Sequence, residues 1–335
     1  MPEKNPAVSV IIPVYNAEKY IGDCLTSLAN QTFANFEVIV VDDCSSDNSR
    51  AVVENFFATF GDRLKFAKLS ANSGFPGIPR NVALEAARGD YVYFLDADDL
   101  LTANALEELF VVAEKFQADV VHAEKCLAFF DADGVEGAEP VSFQKGEFVT
   151  EPTLETFDIA ARIDAFTQKK FLWWAWNKLF RRRFLRENKI TFPAMRCFED
   201  FVFVLRCIVV AKNYVRVPSV NYYYRVRDDS ISHRSDGLAK FFDNVLAVVK
   251  SMDDFMAGEK FFADNPNYRY ALTDFFVRER LGNFAEKTFL QSGYDAGEVF
   301  EFFRDEIFSR KPEDNVAFTA YLFVAMNILK LKADS

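Results

Sequence analysis

Between Val8 and Ala123, short apolar runs alternate with helical stripes, and each apolar run stops at a polar or acidic loop. Val8-Ser-Val-Ile-Ile-Pro-Val-Tyr15 is nearly continuous in its apolar residues, the pattern of a central strand covered on both faces. Residues 18–30 follow with Tyr20, Ile21, Cys24, Leu25 and Leu28 on one helical face. A second β-branched strand at residues 37–41 ends at Asp42-Asp43. Ser45-Ser46-Asp47 offers a helix N-cap ahead of the stripe Val52, Val53, Phe56, Phe57 and Phe60. Residues 64–69 read as a short strand and residues 72–79 as a loop rich in Gly and Pro. Residues 82–88 read as a helix, with Gly89 as its expected C′ residue. A strand at residues 91–95 runs into Asp96-Ala-Asp-Asp99, followed by a helix at 105–117 and a strand at 120–123. Strands and helices alternating through short links predict a mostly parallel, doubly wound α/β sheet. The ligand crevice of such a sheet lies outside the C-terminal ends of its strands. The loops after Tyr15, at Asp42-Asp43 and at residues 96–99 all fall there.

The pattern changes after Phe129. Residues 131–139 are turn-rich and acidic, 154–186 read as helical and aromatic, and 198–210 as a helix that opens on two carboxylates. Residues 221–225 read as a short aromatic strand. From residue 237 the chain reads as mostly helical, with Phe241, Phe242, Val245, Leu246, Val249 and Met252 in one stripe. Three regions are expected: 1–128 with the ligand crevice, 129–235 completing the site, and a helical C-terminal region at 236–335. Asp and Glu number 50 against 39 Lys and Arg, a formal net charge of −11. That balance argues against a general nucleic-acid binder, because phosphate contacts need clustered cations. It leaves open a small phosphorylated ligand whose charge a bound metal neutralises. Five cysteines without a C-x-x-C pair give no zinc motif and no disulfide framework, so thiols in a reducing cytoplasm are expected. The N-terminus has no basic segment leading into a long apolar stretch, and the apolar run at 316–329 suits a buried helix better than a membrane span. A cytoplasmic location is therefore expected. Phe is in excess, 38 residues against 12 Tyr and 3 Trp, and much of it falls at helical spacing in the second half.

Asp96-Ala-Asp98 places two carboxylates one residue apart at a strand end, where they can approach a divalent cation. Mg²⁺ or Mn²⁺ takes one or two carboxylates and shares its other positions with ligand phosphates. The competing reading is a turn in which Asp99 or Thr102 caps the next helix. The same tripeptide at Asp131-Ala-Asp133 precedes Gly134 in a non-periodic stretch and reads as a turn alone. Asp43 can accept hydrogen bonds from a base N–H or a ribose hydroxyl. Pro13-Val-Tyr-Asn16 lacks the G-x-G-x-x-G that seats a pyrophosphate on a helix N-terminus, which departs from an NAD-type site. Val14-Tyr-Asn-Ala17 also lacks the Gly-rich, Lys-bearing loop that a nucleotidyltransferase would place after its first strand. Arg80 ends a loop stiffened by Gly74, Pro76, Gly77 and Pro79, and it either forks onto a phosphate or base or stands as a surface residue. Glu199-Asp200 at a helix start either serves a base or complements the helix dipole. His122, inside a predicted strand, is expected to be structural.

Val8-Ser-Val-Ile-Ile-Pro-Val-Tyr-Asn16, Val41-Asp-Asp-Cys-Ser-Ser-Asp47, Asn72-Ser-Gly74 with Pro79-Arg-Asn81, and Phe94-Leu-Asp-Ala-Asp-Asp99 occur in that order. Together they resemble the nucleotide-sugar domain of the family 2 glycosyltransferases, of GT-A fold, and the resemblance extends over residues 8–230. The Asn72–Asn81 loop is similar to that of the bacterial wall-teichoic-acid and capsule-type transferases. The resemblance implies an inverting, metal-dependent transfer from a nucleotide-diphospho-sugar, most simply a UDP-sugar, to a hydroxyl of a glycan or lipid-linked acceptor. It implies that Asp43 contacts the base, that Asp96 lies on the ribose side, and that Asp98 ligates Mg²⁺ or Mn²⁺ at the diphosphate. Pro13, Tyr15, Asn16, Glu18 and Arg80 would line the nucleotide. Asp200 would be the base, with Glu199 beside it on the acceptor side. The residue after Asp43, usually Gly in the family, is Cys44 here, which removes no ligand. Trp176-Asn-Lys-Leu-Phe180 resembles the acceptor-side segment, where Lys178 either reaches the diphosphate or is a solvated helix charge. His233 is a candidate metal or phosphate contact. Lys169-Lys170, the following aromatics and Arg181-Arg-Arg183 form one basic, aromatic stretch, read either as a packed core with surface arginines or as a membrane-leaning patch. A non-catalytic nucleotide-binding partner in a polysaccharide-synthesis complex is the competing class, and the presence of both Asp98 and Asp200 speaks against it.

Overall fold

In the computed structural model, which describes residues 5–132, 134–141, 147–227 and 238–284, the first apolar run forms β1 (Val8–Val14) and the next forms β2 (Phe36–Asp42). Both are buried almost throughout, as their unbroken apolar patterns require. Helices α1 (Ile21–Ala29), α2 (Ser49–Glu54), α3 (Phe57–Phe60), α4 (Gly77–Ala86) and α5 (Ala105–Phe116) alternate with β3 (Leu64–Lys68), β4 (Tyr91–Phe94), β5 (Leu100–Leu101) and β6 (Val120–Phe129). Then come β7 (Glu139–Val141), β8 (Thr153–Leu154), α6 (Ile159–Thr167), β9 (Lys178–Arg181), α7 (Arg182–Glu187), α8 (Glu199–Val210) and β10 (Tyr214–Arg225). The strands make one sheet in the order β3-β2-β1-β4-β9-β6-β10-β5, with β7 on β6 and β8 on β10.

β3, β2, β1 and β4 run parallel. Strand order therefore reverses between β1 and β4, which places the topological switch point, and the crevice, at their C-terminal ends. β9 enters antiparallel between β4 and β6, and β10 runs parallel to β6. β7, β8, β9 and β10 thus complete the sheet that the earlier strands begin. Contacts divide the chain into two units, residues 1–232 and 233–335. In the second unit α9 (Leu238–Gly258), α10 (Lys260–Asp264) and α11 (Pro266–Phe284) bury Val245, Val249, Met252, Phe262 and Phe276. Residues 316–329 lie outside the described residues. Among those described, no helix is long and apolar enough to cross a membrane.

Several local expectations are corrected. Residues 154–186 are not continuously helical: β9 interrupts them, because Leu179 and Phe180 are held between β4 and β6. β6 and β10 are longer than their apolar cores suggest, since each pairs with the other to its end. Gly89 is not a left-handed cap, since its φ is not positive. Its need for Gly is steric: a Cβ there would lie 2.6 Å from the Ser9 nitrogen. Asp47 does not cap α2; it accepts from Ser49 N and Oγ at 3.0 and 2.6 Å, one position earlier, and the N-cap is Asn48. The aromatic stretch is spent on packing. Phe171, Leu172 and Trp176 are buried, Trp176 stacks on Tyr222 with centroids 4.3 Å apart, and Trp173 and Trp174 are half-buried. Part of the Phe excess forms a layer between sheet and α8, in which Phe192 stacks on Phe203 at 4.0 Å and both meet Phe94 edge-on.

Candidate active site

The parallel register sets Val14 beside Asp42 and Ile11 beside Phe94, so three strands deliver their exit loops to one edge. After β1 the chain turns at Asn16, whose φ is +49°. Asn16 Oδ1 accepts from Ser46 N at 2.9 Å, and Glu18 Oε2 accepts from both Asn48 nitrogens at 2.9 Å. Asn16 and Glu18 therefore lock the β1 exit loop to the β2 exit loop. Glu18 belongs to that lock, although the family pattern points it toward the nucleotide. Pro13 is half-buried, and Tyr15 stands 54% exposed beyond it with its ring free to stack. Asp43 is buried and accepts from Ser73 N at 2.8 Å and Ser73 Oγ at 2.9 Å, so it also folds the Asn72–Ser73 turn. Cys44 takes φ of +62°, in the region where Gly sits without penalty.

At the β4 exit the three acids part company. Asp99 is buried and accepts from Tyr222 Oη at 2.6 Å and Arg225 N at 2.7 Å, so it pins β10 and caps no helix. Nor does Thr102 cap α5, whose N-cap is Asn104. Burial, then the charges of Asp98 and Asp96, push the Asp99 carboxyl well above the usual range. Asp98 keeps partial access and pairs with Arg227 at 2.9 Å. Burial and then Asp96 raise its pKa.

The centre of the site is Arg80, 6% exposed. Its Nη2 donates to Asp96 Oδ1 at 2.8 Å, and its Nη1 donates to Glu199 Oε1 at 2.6 Å and Asp200 Oδ1 at 3.2 Å. The guanidinium lies over Phe192, 5.3 Å from the centroid. Burial works against its charge, but Asp200, Asp96 and Glu199 more than reverse that and hold it protonated. In this structure both outer nitrogens of Arg80 are engaged by carboxylates, so the guanidinium is tied to the acids of the crevice. Close approach makes this possible. A Cβ on Gly77 would lie 2.8 Å from Phe192 Cβ and 3.1 Å from Pro193 O, so only Gly lets α4 start there. Asn81 clamps the same loop, giving to Phe192 O at 2.8 Å and taking from Phe192 N at 2.9 Å.

Glu199 and Asp200 open α8 behind Phe198, a left-handed N-cap with φ +65°. Asp200 Oδ2 accepts from Ala175 N at 3.0 Å. Burial raises both carboxyls; Asp200 adds to the rise at Glu199, and Arg80 opposes it at both. Lys178 is neither helical nor solvated. It opens β9 with no exposed surface and gives Nζ to Trp174 O and Asn177 Oδ1, both at 2.7 Å. His122 is fully buried in β6, as expected of a structural residue. His233 lies outside the described residues.

The structure thus brings Asp96, Asp98, Arg80, Glu199 and Asp200 together across more than 100 positions of sequence. Sequence reasoning missed Asn81, Asp99, Arg225 and Arg227 as organisers. Asn81 stood beside a residue already singled out, but nothing local marks Arg225 at the end of β10 or Arg227 just beyond it. A divalent cation fits the acids. Asp98 and Asp96 are oxygen donors at partial exposure, and Asp96 raises the pKa of Asp98, a strain that a cation would relieve. Among the described residues no group of three or more His, Cys, Asp or Glu forms a closed cage, so such an ion would depend on a ligand's oxygens.

A switch-point crevice with a strand-end D-x-D, and a second acid pair reaching it from a helix after the antiparallel insertion, is the GT-A arrangement of nucleotide-diphospho-sugar transferases. The family model "Glycosyl transferase family 2" matches residues 9–198, and the chain belongs to that family. It is 31% identical over 255 residues to the poly(ribitol-phosphate) beta-glucosyltransferase of Bacillus spizizenii, covering 73% of this chain and 37% of the relative. The chain therefore spans little more than a third of that relative's length. It is 30% identical over 259 residues to the putative glycosyltransferase EpsH of Bacillus subtilis, covering 76% and 70% of the two chains. The crystal structure of Staphylococcus aureus TarS 1–349 in complex with UDP-GlcNAc matches its fold with a TM-score of 0.70 at 24% identity, over 96% of this chain and 91% of that one.

Proposed function

We propose that this chain transfers a sugar from a nucleotide-diphospho-sugar, with uridine as the favoured base, to a hydroxyl of a bacterial cell-surface glycan or polyol-phosphate polymer. The observation that carries the reading is the Arg80 fork, which joins the donor-side acid Asp96 to the base-side acids Glu199 and Asp200 through one buried guanidinium. Tyr15 offers its exposed ring to the base. Asp43, whose oxygens keep lone pairs beyond Ser73 and Asn72, accepts from the base edge. Asp98 would hold Mg²⁺ or Mn²⁺, and the ion would supply positive charge to the leaving diphosphate. Asp200 takes the acceptor's proton as its oxygen attacks the anomeric carbon from the face opposite the leaving group, so configuration inverts. Ala175 N and Arg80 hold its two oxygens in place, and Glu199 shares the acceptor side. UDP-GlcNAc bound to the TarS fragment and the polymer named for the Bacillus spizizenii relative support donor and acceptor classes of this kind.

Sugar transfer from a panel of UDP- and GDP-sugars to glycan and poly(ribitol-phosphate) acceptors tests the reading. Asp200→Asn should bind donor as wild type does while transfer falls about 10²–10⁴-fold, the span of a general base. Unchanged transfer in that variant would remove Asp200 from the role of base.

A further inference from the structure

We infer that Lys178 is a positioning residue for Asp200, acting through the Trp174–Ala175 peptide. The inference rests on the transfer reaction proposed above. Lys178 Nζ donates to Trp174 O at 2.7 Å, and the N–H of that same peptide, on Ala175, donates to Asp200 Oδ2 at 3.0 Å. A carbonyl that accepts a hydrogen bond polarises its own amide, and hydrogen bonds in such a chain strengthen one another. The peptide is held from below as well. Lys178 Nζ also gives to Asn177 Oδ1, and Asn177 is bonded twice to Ala123 of β6, through Nδ2 at 2.9 Å and its own carbonyl at 3.0 Å. The sheet thereby fixes one oxygen of Asp200, while Arg80 from α4 fixes the other.

Lys178 has no exposed surface, so no diphosphate at the crevice reaches it. A strand interior does not need a cation to fold, because an apolar residue of similar volume serves a buried site equally well. The charged and titratable groups around the pair are Arg80 from α4, Asp96 from the β4 exit and Glu199 on α8 facing Asp200, with Cys207 on α8 and His122 on β6 facing Lys178. Burial lowers the Lys178 pKa, Asp200 opposes that, and Lys178 in turn favours the ionised form of Asp200.

Lys178→Met and Lys178→Gln are compared with wild type in transfer kinetics, pH–rate profile and donor binding. A folded variant is expected to lose kcat about tenfold, the scale of one buried hydrogen bond. Its donor KM should be unchanged, and the acid limb of its profile should move to higher pH. In an Asp200→Asn background the same substitution should leave residual donor hydrolysis where Asp200→Asn alone puts it. Wild-type kcat and acid limb in a folded Lys178 variant overturn the assignment and leave the reaction standing, as does a further loss in the Asp200→Asn background. Failure of both variants to fold overturns it too, since Lys178 is then a folding residue. No transfer by the wild-type chain overturns the reaction, and the assignment with it.

Discussion

Arg80 sets one positive charge against Asp96, Glu199 and Asp200 in a place where water scarcely reaches. A buried ion cluster of this kind adds little to stability when intact, yet breaking it is expensive because the remaining charges are stranded. Arg80→Met should lower unfolding free energy by about 3–5 kcal/mol, measured by denaturant titration. The acids' protonation gives a second readout. Burial raises the pKa of Glu199 and Asp200 despite Arg80, so each binds its proton more firmly folded than unfolded. Their contribution to stability is therefore greatest in acid and is lost as pH rises from the ordinary carboxylate range through the raised folded values. Activity runs the opposite way, since a base must be ionised. The acid limb of transfer should lie above that of an ordinary carboxylate, and Arg80→Met should move it higher still. The residue types were readable: Arg80, Asp96, Glu199 and Asp200 each stood out. Their mutual contact was not, because nothing in residues 80–96 marks a partner more than 100 positions later.

Elements decide whether those side chains meet. α4 starts against the Phe192–Pro193 loop and α8, and Gly77 is the point of contact. Gly77→Ala should push α4 away from Phe192, costing about 1–3 kcal/mol as overpacking does. It should also reduce transfer by moving Arg80, which calorimetry and kinetics on one sample would separate; a variant with wild-type Tm and rate would show that the loop yields freely. β9 shows the limit of pattern reading. Lys178-Leu-Phe-Arg181 has no alternation long enough to announce a strand. It is one because β4 and β6 leave an open edge on each side. The parallel strands β1 and β2 were plain by contrast, since burial on both faces demands an unbroken apolar run.

For the molecule as a whole, a diphosphate entering so acidic a crevice would be favoured by a cation between them. UDP with Mn²⁺ at about 100 times its Kd should stabilise the native chain by about 2.7 kcal/mol. Chelator should remove most of the resulting shift in Tm, and Asp98→Asn should make UDP's effect indifferent to Mn²⁺; a full shift in the presence of chelator would end the metal role of Asp98. Sequence alone determined the alternating α/β frame and the acids at its strand ends, because apolar periodicity and loop chemistry are local properties that each segment carries by itself. Only the tertiary structure decided that Arg80 meets Asp96, Glu199 and Asp200, that Asp99 pins β10, and that Lys178 lies buried behind the Ala175 amide. Those outcomes depend on which side chains share a dry interior, where an unpaired charge is intolerable and each one must find partners that chain distance does not reveal.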